Sequence, residues 1–284
     1  MVAVTSTTTD SHRDLLGRVE RYYDAVPRSA ARAEEFGPLT LFVREGAGWP
    51  YYARPALGWS AAAATADDVR RVLARQRELG LPQSFEWVAE TTPGLRAAVE
   101  QAGLVVHEHP LLALPADAQL PAVPEPAAGV SVRTLDAEDE ALPSALALTH
   151  LAFAEPGTAL GTAGPAELAA AVRVASGDGT VEVARARIRS GLTRVAAAVA
   201  DGSALCSGRH QPVGPVSEVV AVGTLPTARR RGLALAVTAV LVADARALGV
   251  RTVFLSADDE AVARVYARIG FRPVATALIA EPPA

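Results

Sequence analysis

The final quarter of the chain alternates between segments typical of strands and segments typical of helices, and this alternation restricts the possible folds most strongly. Residues 218–225 form an apolar run that predicts a buried strand. Residues 233–248 repeat apolar positions at helical spacing and end at Gly249, which suits a helix C-terminus. The segments after it predict a strand, a helix and a strand at 251–257, 259–270 and 271–280. This part of the chain is therefore predicted to be a β-α-β-α-β unit.

The segments before this unit add further strands and helices. Residues 130–135 alternate as a strand does, and helical patterns cover 136–154 and, with an interruption, about 166–190. Asp201-Gly202 is a strong signal for a tight hairpin turn between two strands. The predicted order, β-α-α-β-β-β-α-β-α-β, corresponds to an α+β fold built on a mixed sheet.

A proline-rich segment divides the chain. Residues 115–129 contain four prolines, which favour an extended linker over a helix or a central strand. We therefore expect an N-terminal lobe at 13–114 and a second lobe at 130–284. Residues 1–12 are expected to form a mobile tail.

The N-terminal lobe resembles the end of the second lobe. Gly103 follows a predicted helix and precedes a large apolar residue, as Gly270 does. Upstream of each, another glycine ends a helix, Gly80 in one lobe and Gly249 in the other. This similarity favours a weak internal repeat. Two unrelated helix-glycine-strand units would also look alike.

Composition narrows the classes of partner and site. The net charge is −4, so we expect no nucleic-acid partner, which needs a basic surface. The single cysteine, Cys206, excludes an intramolecular disulfide, fits a cytoplasmic location and is expected to be an inert core residue. We find neither a signal-peptide pattern nor an apolar run of membrane-spanning length, so no membrane partner is expected. His107 and His109 share a strand face, but without a third ligand they predict no metal site.

Three consecutive arginines, at 229–231, stand where a helix is about to start. Positive charge is unfavourable there, because the N-terminal end of a helix dipole is itself positive. A bound anion between the arginines and the free N–H groups of the helix would remove this conflict. Gly232 and Ala234 are small enough to let a phosphate group reach the backbone. The spacing matches neither a Walker loop nor a dinucleotide fingerprint, so it indicates another phosphate-bearing ligand.

Two motifs in this region resemble those of one enzyme family. The pattern R-x-x-G-x-A at 229–234, after an apolar strand and a proline, resembles the pyrophosphate-binding motif of the GNAT (Gcn5-related) N-acyltransferases. A helix with Tyr266 four residues before Gly270-Phe271 is similar to the second motif of that family. The resemblance covers about 130–280 and implies a GNAT fold in the second lobe. The N-terminal lobe then resembles a degenerate second copy, as in tandem GNAT proteins.

The resemblance implies acetyl-CoA as co-substrate. Backbone groups of Val222, Gly223 and Thr224 would pair with the pantetheine arm, and N–H groups of the following loop would hold the pyrophosphate. The cofactor-binding loop comprises Arg229, Arg230, Arg231, Gly232, Leu233, Ala234 and Leu235. An arginine side chain of this loop would meet the adenosine phosphate; a solvated arginine face is the alternative. Ala234 and Asp259 depart mildly from the family pattern, where glycine and asparagine are commoner.

The family also implies two catalytic side chains. Glu218 begins the strand that leads into the arginine loop, at a spacing that resembles the glutamate base of histone-acetylating members. It would remove a proton from the amine, directly or through water. Tyr266 would protonate the departing thiolate, while a backbone N–H of the strand would stabilise the oxyanion. The alternatives are an exposed glutamate at a strand start and a packed tyrosine with a satisfied hydroxyl.

The expected reaction is direct transfer of an acetyl group from acetyl-CoA to a primary amine of a small molecule or a peptide. The Gly- and Pro-rich loop at 152–167 is where acceptor contacts usually fall in this family, and Glu155 is its candidate amine-facing carboxylate. The alternatives are a non-catalytic acyl-CoA-binding or regulatory protein, a longer acyl group, and an oxygen acceptor. The N-terminal lobe lacks the arginine motif and has Val99 where the second lobe has Tyr266. We expect it to shape the acceptor pocket.

Overall fold

The computed structural model describes residues 3–46, 48, 50–59, 64–120 and 125–283, with side chains from residue 11 onward. The chain divides into two compact units: the first comprises residues 1–111 and 273–284, and the second comprises residues 112–272. None of the described helices is both long and apolar enough to cross a bilayer.

The first unit consists, in chain order, of α1 (Ala3–Arg28), β1 (Ala31–Phe36), β2 (Leu39–Arg44), β3 (Ala53–Pro55), α2 (Ala66–Glu78), β4 (Phe85–Val88), α3 (Leu95–Gln101) and most of β5 (Val105–Leu114). Strand β2 pairs antiparallel with β1 and with β3, and β3 pairs parallel with β4. The sheet of this unit is therefore mixed.

Local signals explain the helices of the first unit. Helix α2 begins with a capping box: the Thr65 hydroxyl accepts a hydrogen bond from the Asp68 N–H, and the Asp68 carboxylate accepts one from the Thr65 N–H at 2.8 Å. Helix α1 buries Leu16, Val19 and Tyr22 along one stripe. The same helix supplies Glu20, which forms an ion pair with the guanidinium of Arg54, a side chain only 1% exposed.

The second unit consists of the end of β5 followed by β6 (Ser131–Leu135), α4 (Leu142–Ala154), α5 (Pro165–Gly177), α6 (Thr180–Arg189), β7 (Arg194–Ala200), β8 (Ser203–Val213), β9 (Val216–Thr224), α7 (Leu233–Ala247), β10 (Thr252–Ser256) and α8 (Glu260–Ala267). Its strands pair in the order β6-β7-β8-β9-β10, antiparallel except for the parallel pair β9 and β10. The predicted α+β fold with a mixed sheet is confirmed.

The β7–β8 hairpin turns at Asp201 and Gly202, whose φ angles are 48° and 75°. Positive φ at both positions is the conformation of a two-residue hairpin loop that matches the twist of its strands. The predicted hairpin is thus confirmed. Helices α4 and α7 cover opposite faces of this sheet. The Ser207 hydroxyl donates to the Ala145 carbonyl in α4, whereas a Cβ atom added to its neighbour Gly208 would lie 3.0 Å from Leu241 in α7.

The last strand, β11 (Arg272–Glu281), belongs to the first unit. It pairs antiparallel with β4 and contributes Leu278 and Ala280 to the core of that unit. Conversely, Leu112 and Leu114 at the end of β5 belong to the core of the second unit. The orders β1-β2-β3-α2-β4-α3-β5 and β7-β8-β9-α7-β10-α8-β11 agree element by element, which supports the internal repeat.

The division of the chain differs from the predicted one in two places. Residues 3–12 are helical, because they extend α1 beyond its docked part and prolonging a helix needs no new nucleus. Residues 273–284 leave the predicted second lobe, because β11 completes the sheet of the first unit. The predicted linker has neither helix nor strand at 115–120 and 125–129; its residues 121–124 lie outside the described part.

Candidate active site

Strand β9 carries a bulge shortly before its end. Its register with β8 shifts so that Ala221 and Val222 lie opposite Gly208 alone, and Ala221 has a φ angle of 55°. A side chain at Gly208 would not fit, since its Cβ atom would lie 2.9 Å from Val222 Cγ2. A bulge leaves one residue outside the hydrogen-bond ladder. Backbone groups are therefore released in the segment predicted to pair with a pantetheine arm.

Strands β9 and β10 part beyond Glu218. Their parallel pairing ends at Phe254↔Glu218, whereas β9 continues to Thr224 and β10 to Ser256. Within the described residues no later pair joins the two strands. The end of β9 therefore presents an edge toward the side where β10 has separated, and such an edge can pair with an extended ligand.

Gly223, near the end of β9, lies directly under helix α4. A Cβ atom at this position would be 2.8 Å from Ala152 Cβ and 3.5 Å from Leu148 Cδ2. Any side chain larger than hydrogen would push α4 away from the strand. The sequence prediction assigned Gly223 to the cofactor, and the structure adds this packing reason for a glycine.

The three arginines after β9 have different environments. Arg229 is buried and its guanidinium donates to the carbonyl oxygens of Ala152, Glu155 and Ala159. The adjacent Arg230 and Arg231 are exposed. The Arg229 side chain thus holds the end of α4 and the loop behind it, so it is unavailable to an adenosine phosphate.

The N-terminus of α7 is open. Its N-cap is Gly232, with φ of 74°, and neither a side-chain cap nor an acidic residue in the first turn is present. Arg230 also has a left-handed backbone, with φ of 63°. The first N–H groups of a helix have no intrahelical acceptor, so those of Leu233, Ala234 and Leu235 remain available. This open helix end lies where the arginine triplet predicts an anion site.

The corresponding helix of the first unit is closed. At the start of α2, the Asp68 carboxylate accepts hydrogen bonds from both the N–H and the hydroxyl of Thr65, and these bonds lower its pKa. A negative charge of the chain's own therefore occupies the helix end. The structure gives a physical basis for the prediction that this lobe has lost its cofactor site.

The loop between α4 and α5 is fastened to the arginine loop. Besides the Arg229 contacts, the Gly161 N–H donates to the Pro226 carbonyl at 3.1 Å, and the Thr227 N–H donates to the Ala163 carbonyl at 3.2 Å. Hydrogen bonds therefore connect the predicted acceptor loop directly to the predicted cofactor loop.

Glu155 closes this loop instead of facing an amine. Its carboxylate accepts hydrogen bonds from the N–H groups of Thr162 and Ala163, at 2.8 and 2.9 Å, and from the Thr162 hydroxyl at 3.0 Å. The two backbone bonds are the main cause of its lowered pKa. The prediction of an amine-facing role is corrected, because the loop itself already engages this carboxylate.

Glu218 lies at the last position where β9 pairs with β10, and it is half-buried. Its neighbour Ser217 faces α7, since the Ser217 hydroxyl meets His210 Nδ1 at 2.9 Å and His210 Nε2 meets the carboxylate of Asp244 in α7 at 2.9 Å. Successive strand residues point to opposite faces. Glu218 therefore points to the face covered by α4.

The face of the sheet covered by α7 holds a buried polar network that no sequence motif predicted. Arg194 donates two hydrogen bonds of 2.9 Å to Asp244, which also meets the buried His210. Burial lowers the pKa of His210 below its usual value. One feature of the sequence is consistent with this network. Gly208 and His210 are two residues apart in β8 and therefore point to the same face, and a buried histidine there needs hydrogen-bond partners.

Tyr266 lies on α8 with its ring edge-on to Phe271, 6.2 Å between centroids. Burial and the nearby Cys206 thiol raise the pKa of Tyr266 well above its usual range, so the phenol is protonated throughout the neutral range. Cys206 accepts a hydrogen bond from Thr224 at the end of β9, and burial raises the pKa of this thiol to about 12, as expected of an inert core residue.

The described residues hold no group of three or more side chains able to bind a metal ion. His107 is exposed on β5 and His109 is half-buried.

Comparisons with known proteins identify a family match in part of the chain and a shared fold. Residues 191–279 match the family described as FR47-like protein. A GCN5-related N-acetyltransferase from Kribbella flavida has a similar structure, with 23% identity, a TM-score of 0.68, and coverage of 95% of this chain and 96% of that one. No curated protein sequence matches the chain significantly.

Two further solved structures are similar over most of both chains. A GCN5-related N-acetyltransferase from Sphaerobacter thermophilus is 18% identical with a TM-score of 0.53, covering 88% of this chain and 84% of that one. A tandem GNAT protein from the clavulanic acid biosynthesis pathway, solved without AcCoA, is also 18% identical with a TM-score of 0.53. It is matched over 87% of this chain and 79% of that one. At identities of 18–23%, the structural similarity shows a shared fold only.

Proposed function

Because the chain has the fold of the GNAT superfamily, with an FR47-like domain at 191–279, we propose that it is an acetyl-CoA-dependent N-acetyltransferase. Its acceptor is a primary amine of a small molecule or a peptide. The observation that carries this proposal is the open N-terminus of α7 behind Arg230 and Arg231, at the end of a strand whose edge has separated from its neighbour.

These features fit two parts of acetyl-CoA, the pyrophosphate and the pantetheine arm. The N–H groups from Arg230 to Leu235 would hold the pyrophosphate, and the exposed Arg230 and Arg231 supply positive charge beside it. The bulged segment Val222–Thr224 would hold the amide-bearing arm as an added strand. When bound, acetyl-CoA supplies an activated acyl carbon and a thiolate leaving group.

Side chains of the protein then carry out the proton transfers of the reaction. An amine is protonated at neutral pH and must lose a proton before its lone pair can attack. Glu218 takes this proton, directly or through water, from the face where α4 and the acceptor loop lie. A backbone N–H released at the bulge stabilises the oxyanion. As the carbon–nitrogen bond forms and the carbon–sulfur bond breaks, the protonated phenol of Tyr266 gives its proton to the departing sulfur, and the second proton of the attacking nitrogen replaces it.

The first experiment is thermal unfolding with and without acetyl-CoA. Saturation at about 100 times the dissociation constant adds ~2.7 kcal/mol to the free energy of unfolding, a rise of roughly 5–10 °C in Tm for a protein of this size. Arg230→Glu abolishes this rise, whereas Arg251→Glu, an exposed arginine at the opposite end of the parallel strand pair, retains it. No rise for the native protein would overturn the proposal.

The second experiment measures CoA release with a panel of amines. Glu218→Gln lowers turnover, while acetyl-CoA affinity is retained. Tyr266→Phe lowers turnover more than affinity. Acetyl-CoA binding without turnover of any amine would favour a non-catalytic acyl-CoA-binding protein instead.

A further inference from the structure

Thr149, in helix α4, carries a buried hydroxyl without a partner. The residue is 7% exposed, and its Oγ1 atom has no hydrogen-bond partner among the described residues. A helical threonine usually bonds to the carbonyl four residues earlier. Here that carbonyl belongs to Ala145 and accepts a 2.6 Å hydrogen bond from the Ser207 hydroxyl instead. A buried hydroxyl left unpaired lowers stability.

Two other hydroxyls between α4 and the sheet, those of Ser144 and Ser207, are paired, unlike that of Thr149. Ser144 donates to the Ala141 carbonyl and accepts from the Ala204 N–H at 2.9 Å. Ser207 donates to α4 as described above. Thr149 lies farther along α4, toward the end of β9, where the strand leaves its neighbour.

Thr149 also lies beside the predicted donor-binding segment. The position that a Cβ atom of Gly223 would occupy is 3.8 Å from Thr149 Cα. Gly223 stands between Val222 and Thr224, directly after the bulge. Thr149 therefore lies in the layer where α4 packs on the end of β9, the segment that would offer backbone groups to a ligand.

We propose that the Thr149 hydroxyl is a positioning group for the acyl donor and donates a hydrogen bond to a carbonyl of the acyl-pantetheine arm bound along Val222–Thr224. This proposal rests on the function proposed above. It accounts for a polar group that the free protein keeps buried and unpaired: the partner arrives with the ligand.

The test is Thr149→Val, which keeps the shape of the side chain and removes the hydroxyl. The free variant has the same Tm as the native protein or a higher one, because an unpaired polar atom has been replaced by a methyl group. Its dissociation constant for acetyl-CoA, measured by calorimetry, is about three- to tenfold larger, as expected for one lost neutral hydrogen bond. Thr149→Ser retains most of the affinity.

Thr193→Val is the matched control. Thr193 precedes β7, is 3% exposed, and also has an Oγ1 atom without a partner among the described residues. This variant has a similar effect on Tm and leaves acetyl-CoA affinity unchanged. A general effect of filling a polar site with a methyl group would instead change affinity in both variants and would overturn the proposal.

The outcomes separate the two proposals. If the native protein does not bind acetyl-CoA, the proposed function fails and the role of Thr149 fails with it. If the native protein binds and Thr149→Val binds equally well, only the role of Thr149 is wrong. If affinity is unchanged but the KM for the amine rises, the hydroxyl serves the acceptor, and its assignment to the donor is overturned.

Discussion

At the scale of single residues, neighbours in sequence have unlike roles. Arg229 is folded inward onto three carbonyl oxygens, while Arg230 and Arg231 face solvent. The motif spacing predicted a cluster of positive charge for an anion. It could not predict that one arginine holds the acceptor loop, because the acceptors are backbone carbonyls, which carry no side-chain signal in the sequence.

Arg229→Ala is expected to destabilise the protein far more than Arg230→Ala. The first change leaves the carbonyls of Ala152, Glu155 and Ala159 without their donor, at a cost of about 3 kcal/mol, since hydrogen bonds to charged groups contribute ~1.5–3 kcal/mol each and do not add fully. Replacing the exposed Arg230 changes stability by less than about 0.5 kcal/mol. Urea unfolding of both variants measures the difference, and equal losses would contradict the inward position of Arg229.

His210 predicts how stability depends on pH. Its pKa is lowered in the folded state because the ring is buried beside an aspartate that Arg194 already neutralises. As pH falls below about 6.5, the unfolded chain takes up a proton there and the folded chain does not. The free energy of unfolding therefore decreases from this pH down to the folded pKa of His210. The lowered pKa of Asp244 makes its contribution disappear at still lower pH.

Denaturant unfolding between pH 7 and pH 5 checks this expectation. His210→Gln flattens the decrease, because a neutral amide takes up no proton. A slope that survives the loss of His210 would assign the effect to other groups.

At the scale of elements, the ends of α2 and α7 show how one supersecondary unit keeps or loses an anion site. Helix α2 has Asp68 at its third position and is capped by it, whereas α7 has Leu235 there and no cap. The sequence was sufficient to locate both helices. Glycine at 232 and the arginines at 229–231 also predict an anion site at the start of α7 by their size and charge, and this site stays a prediction.

Ala234→Asp is expected to place a negative charge in the first turn of α7, where α2 already carries Asp67 and Asp68. A carboxylate at the second helical position interacts favourably with the helix dipole and adds ~0.3–1 kcal/mol to stability. The same charge repels a phosphate group, so acetyl-CoA affinity falls at least about tenfold, or 1.4 kcal/mol. Ala234→Asn, which adds similar bulk without the charge, is the control. Equal affinity losses for the two variants would show that crowding, not charge, closes the site.

Other elements were beyond the reach of sequence patterns. Strand β1 is half exposed and reads ARAEEF, and β3 has only three residues, so neither shows the apolar alternation that marks a strand. The bulge at Ala221 is also invisible in the sequence, because alanine carries no preference for positive φ.

At the scale of the whole molecule, the assignment of β11 to the first unit decides where a mutation acts. Leu278 is 2% exposed and packs in the core of the first unit, although it follows the entire second unit along the chain. A helix-glycine-strand pattern looks the same whichever core receives the strand. The predicted boundary therefore placed 273–284 in the wrong unit.

Leu278→Ala is expected to lower stability by ~2–5 kcal/mol and to act on the first unit. Hydrogen exchange should show lost protection in α2, α3 and β4, with β7, β8 and β9 little changed. Leu241→Ala, in the core of the second unit, should show the reverse distribution. Lost protection confined to the second unit in the Leu278 variant would contradict the assignment of β11.

The position of β11 at the end of the chain also delays completion of the first unit during translation. Most of the first unit leaves the ribosome early, but its core lacks Leu278 and Ala280 until residues 112–272 have been translated. At ~5–20 residues per second, this takes on the order of ten to thirty seconds. During that interval β4 has no β11 beside it, and its open edge is available to chaperones or to a neighbouring nascent chain. The half of the protein that is made first is thus the half that is completed last.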